Sequence, residues 1–539
     1  MNGLSEQFIR MPDRWWTFLL VFLIALLVLI AVHNRFMEDD AFISFRYADN
    51  FVHGNGLVWN KGEHVEGYTN FLWTMLISLC IFAGWDPAIS SQIIGLVFFV
   101  VSLVTMYSLG KMIFHSRNIA LAGMLALGSN YTFNAFATSG LETQMQAALI
   151  LLATILWVRS FSQNIGTLRD LFLLSLVSAA AVLTRPDSVL ITAILIAAGC
   201  AFLIREPARE LGKVTGLLIL IIPISVILGA WVLWRVLYYG DVFPNTFYSK
   251  IVSPTSPARG FYYIHAFFWS YVLYPFVGAG LFAVKKFFQK ENFVLVPAVL
   301  ILIAWGAYIV VTGGDHMEFR FFVPVFPFIV TLTMWLVFSW LRRYWIRIVF
   351  LLLLFAGTVY HALTFAASTD PDIAIAPLRQ YHGFFTLEDE NWTAIGKTLY
   401  RAFPDRQDVL IATTAAGAIP YYSKLPTVDM LGINDPWVAR YGKPVGTTPG
   451  HQRIAPMRYL IDRGVNLLIA HPVLVTSHSD IRQIPLAPMD SIVAFRDATC
   501  ILIPVDTLHK LVTMYLKECP AVTKAIVDNH WEVFTARIK

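Results

Sequence analysis

The sequence has few charged residues for its length. Of its 539 residues, 14% are Asp, Glu, Lys or Arg, whereas soluble domains average about 25%. Hydrophobic residues make up 57% of the chain, and the mean hydropathy is +0.62. These values exclude an ordinary soluble protein and predict a polytopic membrane protein.

Cysteines are few, and basic tracts and nucleotide-binding motifs are missing. The four cysteines, Cys80, Cys200, Cys500 and Cys519, have no metal-ligand spacing, which argues against a cysteine zinc site. No run of Lys and Arg resembles a nucleic-acid-binding arm, and the sequence has no P-loop to bind ATP. Nucleic acid is therefore not an expected partner. In an oxidising compartment Cys500 and Cys519 could pair, or they could be two free thiols.

Long apolar runs fill the first two thirds of the chain. A membrane-spanning helix needs about 20 apolar residues. We predict eleven spans, near residues 16–32, 88–109, 119–136, 144–158, 171–183, 189–204, 217–238, 262–284, 293–312, 322–341 and 347–366. The run at 71–83 is too short to cross comfortably and is predicted to be re-entrant or interfacial. Arg10 and Arg14 precede a core that is too long for a signal peptide, so we expect the first span to be retained.

The loops between these spans fall into two alternating sets. One set is basic throughout and includes Lys111 with Arg117, and Arg342 with Arg343. Each member of the other set contains an acid, and its members are EDDAFISFRYADN, SGLET, TRPDS, GDVFPNTFYSK and GGDHMEFRF. Basic loops favour the cytoplasmic side of a membrane. The alternation therefore predicts a bacterial inner-membrane protein with a cytoplasmic N-terminus and a periplasmic C-terminus.

The composition changes after about Ser368. The region that follows contains short apolar runs, such as DVLIATT, NLLIAHP and CILIPV, separated by turn residues. Such runs are typical of buried strands. We therefore predict a membrane domain at 1–368, with a first outer loop at 35–70, and a soluble α/β domain at 369–539 on the outer face.

The acid-containing loops offer groups for one outward-facing site. Asp39 and Asp40 could supply a general base, or could bind a divalent cation such as Mg²⁺, Mn²⁺ or Ca²⁺. The cations that could hold a phosphate are Arg46, Arg185, Lys250 and Arg320. The aromatic residues that could stack on sugars or pack at the membrane interface are Tyr47, Trp59, Tyr68, Trp73, Phe247 and Tyr248. This combination indicates transfer from a polyprenyl-phosphate sugar, because its phosphate leaves readily once its charge is stabilised.

The segment EDDAFISFRYADNFVHGNGLVWNKGEHVEGYTNFLW resembles the first outer loop of the mycobacterial terminal β-(1→2)-arabinofuranosyltransferases. The resemblance continues through SGLET, TRPD, PNTFYSK, GGDHMEFRF and AAGAIPYYSKLPTVDMLGIND. It implies a GT-C glycosyltransferase fold and a decaprenyl-phosphate arabinofuranose donor. A first-loop acid is central to catalysis in GT-C enzymes; Asp39 is the preferred match and Asp40 its partner. The matching motifs imply a donor-binding set of Arg46, Glu66, Tyr68, Asn70, Glu142, Arg185, Asp187, Asn245, Lys250, Asp315 and Arg320.

Several alternatives are open at this point. Direct displacement with an acid as base would invert the anomeric centre, whereas the family's linkage implies retention. The acceptor could be arabinogalactan, lipopolysaccharide, another surface glycan or a pilin. A second hypothesis is a transporter or flippase of a lipid-linked sugar, but its charges should lie near the middle of the membrane. A scaffold protein with a functional exported domain would leave the outer-loop acids unexplained.

Overall fold

The computed structural model describes residues 12–161, 167–205, 212–250, 257–287, 289–366, 368, 373–382, 391–405, 408–446, 448–477 and 497–537. Helices dominate the membrane domain. They are α1 (Asp13–His33), α2 (Asp39–Val52), α3 (Phe71–Phe82), α4 (Pro87–Phe114), α5 (Arg117–Ser129), α6 (Tyr131–Ala135), α7 (Thr143–Phe161), α8 (Leu168–Thr184), α9 (Val189–Arg205), α10 (Lys213–Tyr239), α11 (Asn245–Lys250), α12 (Pro257–Ser270), α13 (Tyr274–Phe287), α14 (Val296–Thr312), α15 (Phe326–Trp335) and α16 (Tyr344–Thr364).

The chain is a multi-pass membrane protein. Within the described residues, seven helical segments are long and apolar enough to span a bilayer. They correspond to α1, α4, α7, α9, α10, α14 and α16. Helices α12 and α13 would form an eighth span as a pair, but they are bent by 98°. The shorter apolar helix α3 lies at the predicted short run. The count of eleven spans stays a prediction.

Two predicted spans are broken by local backbone features. Asn130 ends α5, and its side-chain oxygen accepts a hydrogen bond from Phe133 N at 2.9 Å, which starts α6. Between α12 and α13, Val272 has a φ of 54°, a left-handed conformation that ends a helix. At this bend the Tyr271 carbonyl packs on Gly357 of α16, where a Cβ would lie 2.3 Å from that oxygen. The predicted spans 119–136 and 262–284 are therefore not straight helices.

The predicted first outer loop begins with helix α2. Two acids in the first turn of α2 suit the positive end of the helix dipole. Phe42 and Phe45 lie on its buried side, and their ring centroids are 5.6 and 6.2 Å from the Tyr421 ring. The acids Asp39 and Asp40 are thus carried by a packed helix rather than by an open loop.

The described part of 373–537, here called the C-terminal unit, is a small α/β structure. Its helices are α17 (Trp392–Ala402), α18 (Ala418–Ser423), α19 (Pro436–Tyr441), α20 (Met457–Asp462) and α21 (Pro520–Asp528). Its strands are β1 (Ile411–Thr413), β2 (Thr427–Asp429), β3 (Lys443–Pro444), β4 (Arg453–Ile454), β5 (Leu467–Ala470), β6 (Leu474–Val475), β7 (Asp497–Pro504), β8 (Lys510–Tyr515) and β9 (Glu532–Arg537). The main sheet has the order β2-β1-β5-β8-β7-β9, and β6 also pairs with β8.

The strand predictions are confirmed, because the runs DVLIATT, NLLIAHP and CILIPV contain β1, β5 and most of β7. Strand β1 pairs in parallel with β2 and β5, whereas β8 pairs antiparallel with β5, β6 and β7. Cys500 and Cys519 are both buried, and they form no disulfide with each other.

Buried side chains join the C-terminal unit to the membrane domain. Asn245 donates hydrogen bonds to the carbonyls of Gly432 and Ile433, both at 2.9 Å. Asn60 donates to the Thr427 carbonyl at 2.8 Å and accepts from the Thr427 N–H at 3.2 Å. Because these partners are backbone groups, the contacts fix the position of the unit over the acid-containing loops.

Candidate active site

A cavity of about 1640 Å³ lies between the acid-containing loops of the membrane domain and the C-terminal unit. Its floor includes residues from the predicted loops around 38–40, 185–187, 242–250 and 314–321. Its roof includes Thr414, Leu431 and His471, which follow the parallel strands β1, β2 and β5. The carboxyl ends of parallel strands are the usual ligand-binding edge of an α/β sheet. The cavity is therefore built jointly by the two parts of the chain.

Asp39 is fixed against the roof. Its carboxylate accepts hydrogen bonds from the backbone N–H groups of Gly417 at 2.9 Å and Ala418 at 2.8 Å. A Cβ on Gly417 would lie 2.0 Å from the Asp39 carbonyl oxygen, so only glycine permits this approach. Burial raises the pKa of Asp39 to about 7, and the charge of Asp40 adds to this, while the two N–H bonds lower it.

Asp40 lines the same cavity with an unengaged carboxylate. Its side chain forms no hydrogen bond or ion pair with any described residue. Glu38, the first of the three consecutive acids, is 4% exposed, and its Oε2 has no partner among the described residues. Burial, followed by the charges of Asp40 and Asp39, raises the pKa of Glu38 well above its usual range. The three consecutive acids thus occupy three different environments.

Lys250 and Arg320 bring positive charge to this floor. Arg320 donates from Nε to Asp315 Oδ2 at 2.6 Å, while its two Nη groups form no hydrogen bond with described residues. Lys250 also has no hydrogen-bond partner in the described part of the chain. Desolvation by the surrounding protein and the charge of Arg320 lower the pKa of Lys250, whereas the charges of Asp40 and Asp315 raise it. Both cations therefore keep donors available for an anionic ligand.

Arg185 belongs to a neighbouring ion-pair cluster. It donates from Nη1 to Glu142 Oε1 and from Nη2 to Asp187 Oδ2, both at 2.7 Å. Glu142 also accepts from Asn70 Nδ2 at 2.7 Å, so Asn70 and Glu142 lie behind the cavity wall. Two carboxylates compensate the Arg185 charge. The cluster consequently offers no net positive charge to a phosphate.

Glu66 pairs with a cation that the sequence reasoning missed. Arg235 of α10 donates from Nε and Nη2 to the Glu66 carboxylate over distances of 2.7–2.9 Å. Both side chains are buried and both line the cavity. A lone arginine within the apolar run WVLWRVLYY is a signal of function in a membrane helix.

Arg46 does not reach the cavity, contrary to its predicted role at the phosphate. Its guanidinium donates to the carbonyls of Trp59 at 2.7 Å and Leu425 at 2.8 Å, and also to the Pro420 carbonyl. Asn60 Oδ1 accepts a further bond at 3.0 Å. With its donors used in this way, Arg46 links α2 to the C-terminal unit.

The remaining predicted groups outside the cavity are packed within the protein. Tyr68 lies against Tyr47 with a ring-centroid distance of 4.7 Å, and Asn245 holds the C-terminal unit as described above. Trp59 lies under the Arg46 guanidinium, and Trp73 is fully buried. Of the six aromatic residues suggested for sugar stacking, Phe247 lines the cavity.

The described carboxylates do not resemble a divalent-cation site. No group of three or more His, Cys, Asp and Glu side chains in the described residues has metal-binding geometry. Both Asp39 oxygens already accept backbone hydrogen bonds, which leaves the Asp40 carboxylate and Oε2 of Glu38 among the three consecutive acids, where Mg²⁺ or Ca²⁺ would need several oxygen ligands. No metal-dependent step follows from this arrangement, and the cation stays a prediction.

Three roof and loop residues were not predicted as site residues, although His316 and Asp429 lie in the motifs GGDHMEFRF and AAGAIPYYSKLPTVDMLGIND. Asp429 lines the cavity and accepts from the N–H groups of Leu431 at 3.0 Å and Asn434 at 2.8 Å; burial raises its pKa to about 6. The ring centroids of His316 and His451 lie 5.1 Å apart, although 134 residues separate the two histidines in the sequence.

Two curated relatives are described as terminal β-(1→2)-arabinofuranosyltransferases. The Corynebacterium glutamicum protein is 25% identical over 371 residues, covering 62% of this chain and 52% of the relative. The Mycobacterium tuberculosis protein is 28% identical over 256 residues, covering 45% of this chain and 39% of the relative. The chain thus spans about half the length, or less, of the curated relatives it matches. The resemblance identified from the outer-loop motifs is confirmed.

The fold is similar to that of ArnT from Cupriavidus metallidurans. The crystal structure of ArnT bound to undecaprenyl phosphate gives a TM-score of 0.55 at 11% identity, covering 93% of this chain and 98% of that chain. The apo structure gives a TM-score of 0.51 at 12% identity, with the same coverage. Residues 379–531 match a family described as a domain of unknown function (DUF8728). The predicted GT-C fold class is confirmed.

Proposed function

We propose that the protein is a membrane glycosyltransferase that moves arabinofuranose from a polyprenyl-phosphate donor to a cell-envelope glycan or glycoconjugate. The observation that carries this proposal is the floor of the cavity. There the Asp40 carboxylate, which has no partner among the described residues, lies in the same cavity as hydrogen-bond donors of Lys250 and Arg320 that are available to a ligand. The named activity of the two curated relatives supports the sugar, and the lipid bound to ArnT supports the carrier.

The cations stabilise the leaving group. When the bond between the anomeric carbon and the phosphate oxygen breaks, negative charge develops on the phosphate. Lys250 and the Nη groups of Arg320 can meet this charge with hydrogen-bond donors that are already in place. Arg185 was predicted to hold the phosphate together with Lys250 and Arg320, but it keeps Asp187 and Glu142 in position instead.

Asp40 is the reacting carboxylate and Asp39 positions it. The sequence favoured Asp39, but its oxygens are engaged by Gly417 and Ala418, whereas Asp40 has no such partner among the described residues. In an inverting reaction Asp40 takes the proton of the acceptor hydroxyl, and in a retaining reaction it can attack the anomeric carbon. The stereochemistry of the product distinguishes these two roles.

An apolar side of the cavity suits the polyprenyl chain. It is lined by residues from α10, the following loop and α14, including Val232, Phe243 and Val311. Val232 is 41% and Val311 69% exposed, as expected for side chains that meet lipid rather than a protein core. The phosphate would lie at the charged floor while its lipid tail leaves between α10 and α14.

We place this cavity on the periplasmic side of the bacterial inner membrane, following the charge alternation of the loops. The N-terminus would then be cytoplasmic and the C-terminal unit periplasmic. The alternative, a transporter or flippase of the same lipid, fits less well because Asp40, Lys250 and Arg320 lie at the ends of helices or in loops.

Purified protein given a polyprenyl-phosphate arabinofuranose and a glycan acceptor tests the proposal. We expect Asp40→Asn to lower turnover by about 10²- to 10⁴-fold, as for the loss of an acid–base group. Asp49→Asn is the matched control, since Asp49 lies on the same helix and pairs with Lys424 outside the cavity. Near-normal turnover of Asp40→Asn would contradict the assignment, and lipid movement without sugar transfer would favour the flippase.

A further inference from the structure

A hairpin of the C-terminal unit reaches over the cations of the floor. Strands β3 and β4 pair antiparallel, and the loop between them contributes Gly450 and His451 to the cavity wall. The loop is held by a hydrogen bond from His451 N to the Thr448 carbonyl at 2.9 Å. A Cβ on Gly450 would lie 4.0 Å from Cε of Lys250. The tip of the hairpin therefore lies directly over Lys250.

The His451 ring is placed among charged groups from several elements. Its ring centroid lies 5.1 Å from that of His316, at an interplanar angle of 71°. Asp40 of α2 and Lys250 of α11 also act on it electrostatically. On its own hairpin, Lys443 lines the same cavity. The ring thus lines the same cavity as the carboxylate and the cation to which the transfer chemistry is assigned.

His451 is a neutral proton acceptor before substrate binds. Desolvation by the surrounding cavity walls lowers its pKa to about 4, with further lowering by His316 and Lys250, whereas Asp40 and the Pro449 backbone raise it. In the neutral ring one nitrogen carries the proton and the second ring nitrogen keeps its lone pair. At neutral pH one protonation site is therefore vacant.

We propose that His451 is a further catalytic residue, which receives the proton released by sugar transfer and pairs as imidazolium with the departing lipid phosphate. This inference rests on the proposed function. The acceptor O–H bond breaks and its oxygen bonds to the anomeric carbon. The bond from that carbon to the phosphate oxygen breaks, and its electron pair stays on the phosphate. The proton passes through Asp40 to the second ring nitrogen of His451.

This step keeps the charge of the cavity constant. The phosphate changes from a singly charged diester to a doubly charged monoester, and His451 gains the matching positive charge. A phosphate charge about 4 Å away would move the pKa of His451 from about 4 to about 7, using an effective dielectric constant of about 20. Product binding should therefore be accompanied by proton uptake near neutral pH.

Calorimetric titration of the full-length protein in detergent with farnesyl phosphate tests this coupling. Titrations at pH 7 in two buffers of different ionisation enthalpy give the number of protons taken up per bound ligand. For the wild type we expect an uptake of about half a proton from a group with a pKa near 7. His451→Phe should abolish the uptake and weaken binding by roughly 10- to 100-fold, the effect of losing a bond to a charged group. His451→Gln should keep part of the affinity but take up no proton.

The controls separate the two proposals. His53→Phe should behave as the wild type, because His53 is exposed at the end of α2 and outside the cavity. Equal proton uptake by the wild type and both His451 variants would overturn the inference. Uptake that depends on His451, without sugar transfer by the wild type, would overturn the proposed function alone. A wild type that does not bind farnesyl phosphate would overturn both. Thermal unfolding of the two His451 variants verifies that each is folded.

Discussion

Substitution of Gly417 by alanine tests how the active-site carboxylates are positioned. The added Cβ would lie 2.0 Å from the Asp39 carbonyl oxygen and 2.6 Å from its Cγ. Relief of this clash requires the two backbones to separate by more than about 1 Å, which would lengthen hydrogen bonds beyond the usual limit of about 3.2 Å. The two bonds at risk join the Asp39 carboxylate to Gly417 and Ala418 at 2.9 and 2.8 Å. A hydrogen bond to a charged group contributes about 1.5–3 kcal/mol, so the pair accounts for about 3–6 kcal/mol.

Gly417→Ala should therefore lower the thermal unfolding midpoint, measured by tryptophan fluorescence in detergent. It should also reduce sugar transfer by about 100-fold, because moving Asp39 displaces the neighbouring Asp40, and a displacement of about 1 Å at a reacting group has that effect. Gly306→Ala is the control, since nothing lies within 4 Å of the Cβ added there. If Gly417→Ala matched this control in both stability and turnover, the docking of Asp39 on the C-terminal unit would be refuted.

Three further predictions follow from the remaining contacts. Arg46→Lys removes the planar guanidinium that donates hydrogen bonds to three carbonyls and to Asn60. It should destabilise the protein by about 2–4 kcal/mol without changing the KM for the donor. A raised KM would show that Arg46 contributes to donor binding. The pKa of Asp39 rises from 3.8 to about 7 on folding, so its contribution to stability is full below pH 3.8 and lost as the pH rises through 7. Thermal unfolding across this range should show the loss, and Asp39→Asn should flatten that part of the profile; an unchanged profile would show that Asp39 does not titrate there. A reporter fused after Lys539 should be active in the periplasm, and cytoplasmic activity would contradict the proposed orientation.

The convergence of the outer loops could be predicted because it follows from topology. Charges at the ends of spans on one side of a bilayer share a thin layer of space. Residues far apart in sequence, such as Asp40, Lys250 and Arg320, therefore reach one cavity. The same reasoning could not predict which of these charged side chains stay available for a ligand, since that depends on which of them pair with other protein groups. Arg185 and Arg320 are alike in sequence, yet Arg185 meets two carboxylates and Arg320 meets Asp315.

The roles of Asp39 and Arg46 depend on contacts that no local pattern encodes. Asp39 is bound by Gly417, which lies 378 positions later, and Arg46 is bound by Leu425, which lies 379 positions later. A carboxylate that binds backbone N–H groups and one that faces a substrate have the same sequence signature. The breaks of the membrane helices at Asn130 and Val272 were missed for a related reason, because hydropathy reports length and not backbone conformation.

The docking of Asp39 also sets the time at which the protein can first work. A ribosome adds about 5–20 residues per second, so the 378 positions between Asp39 and Gly417 correspond to about 20–80 seconds of synthesis. Throughout that interval the membrane helices are being inserted into the bilayer, while α2 still lacks the backbone amides that anchor it. We expect the nascent chain to be inert until its last third has emerged and folded, so that the proposed sugar transfer begins only in the complete protein.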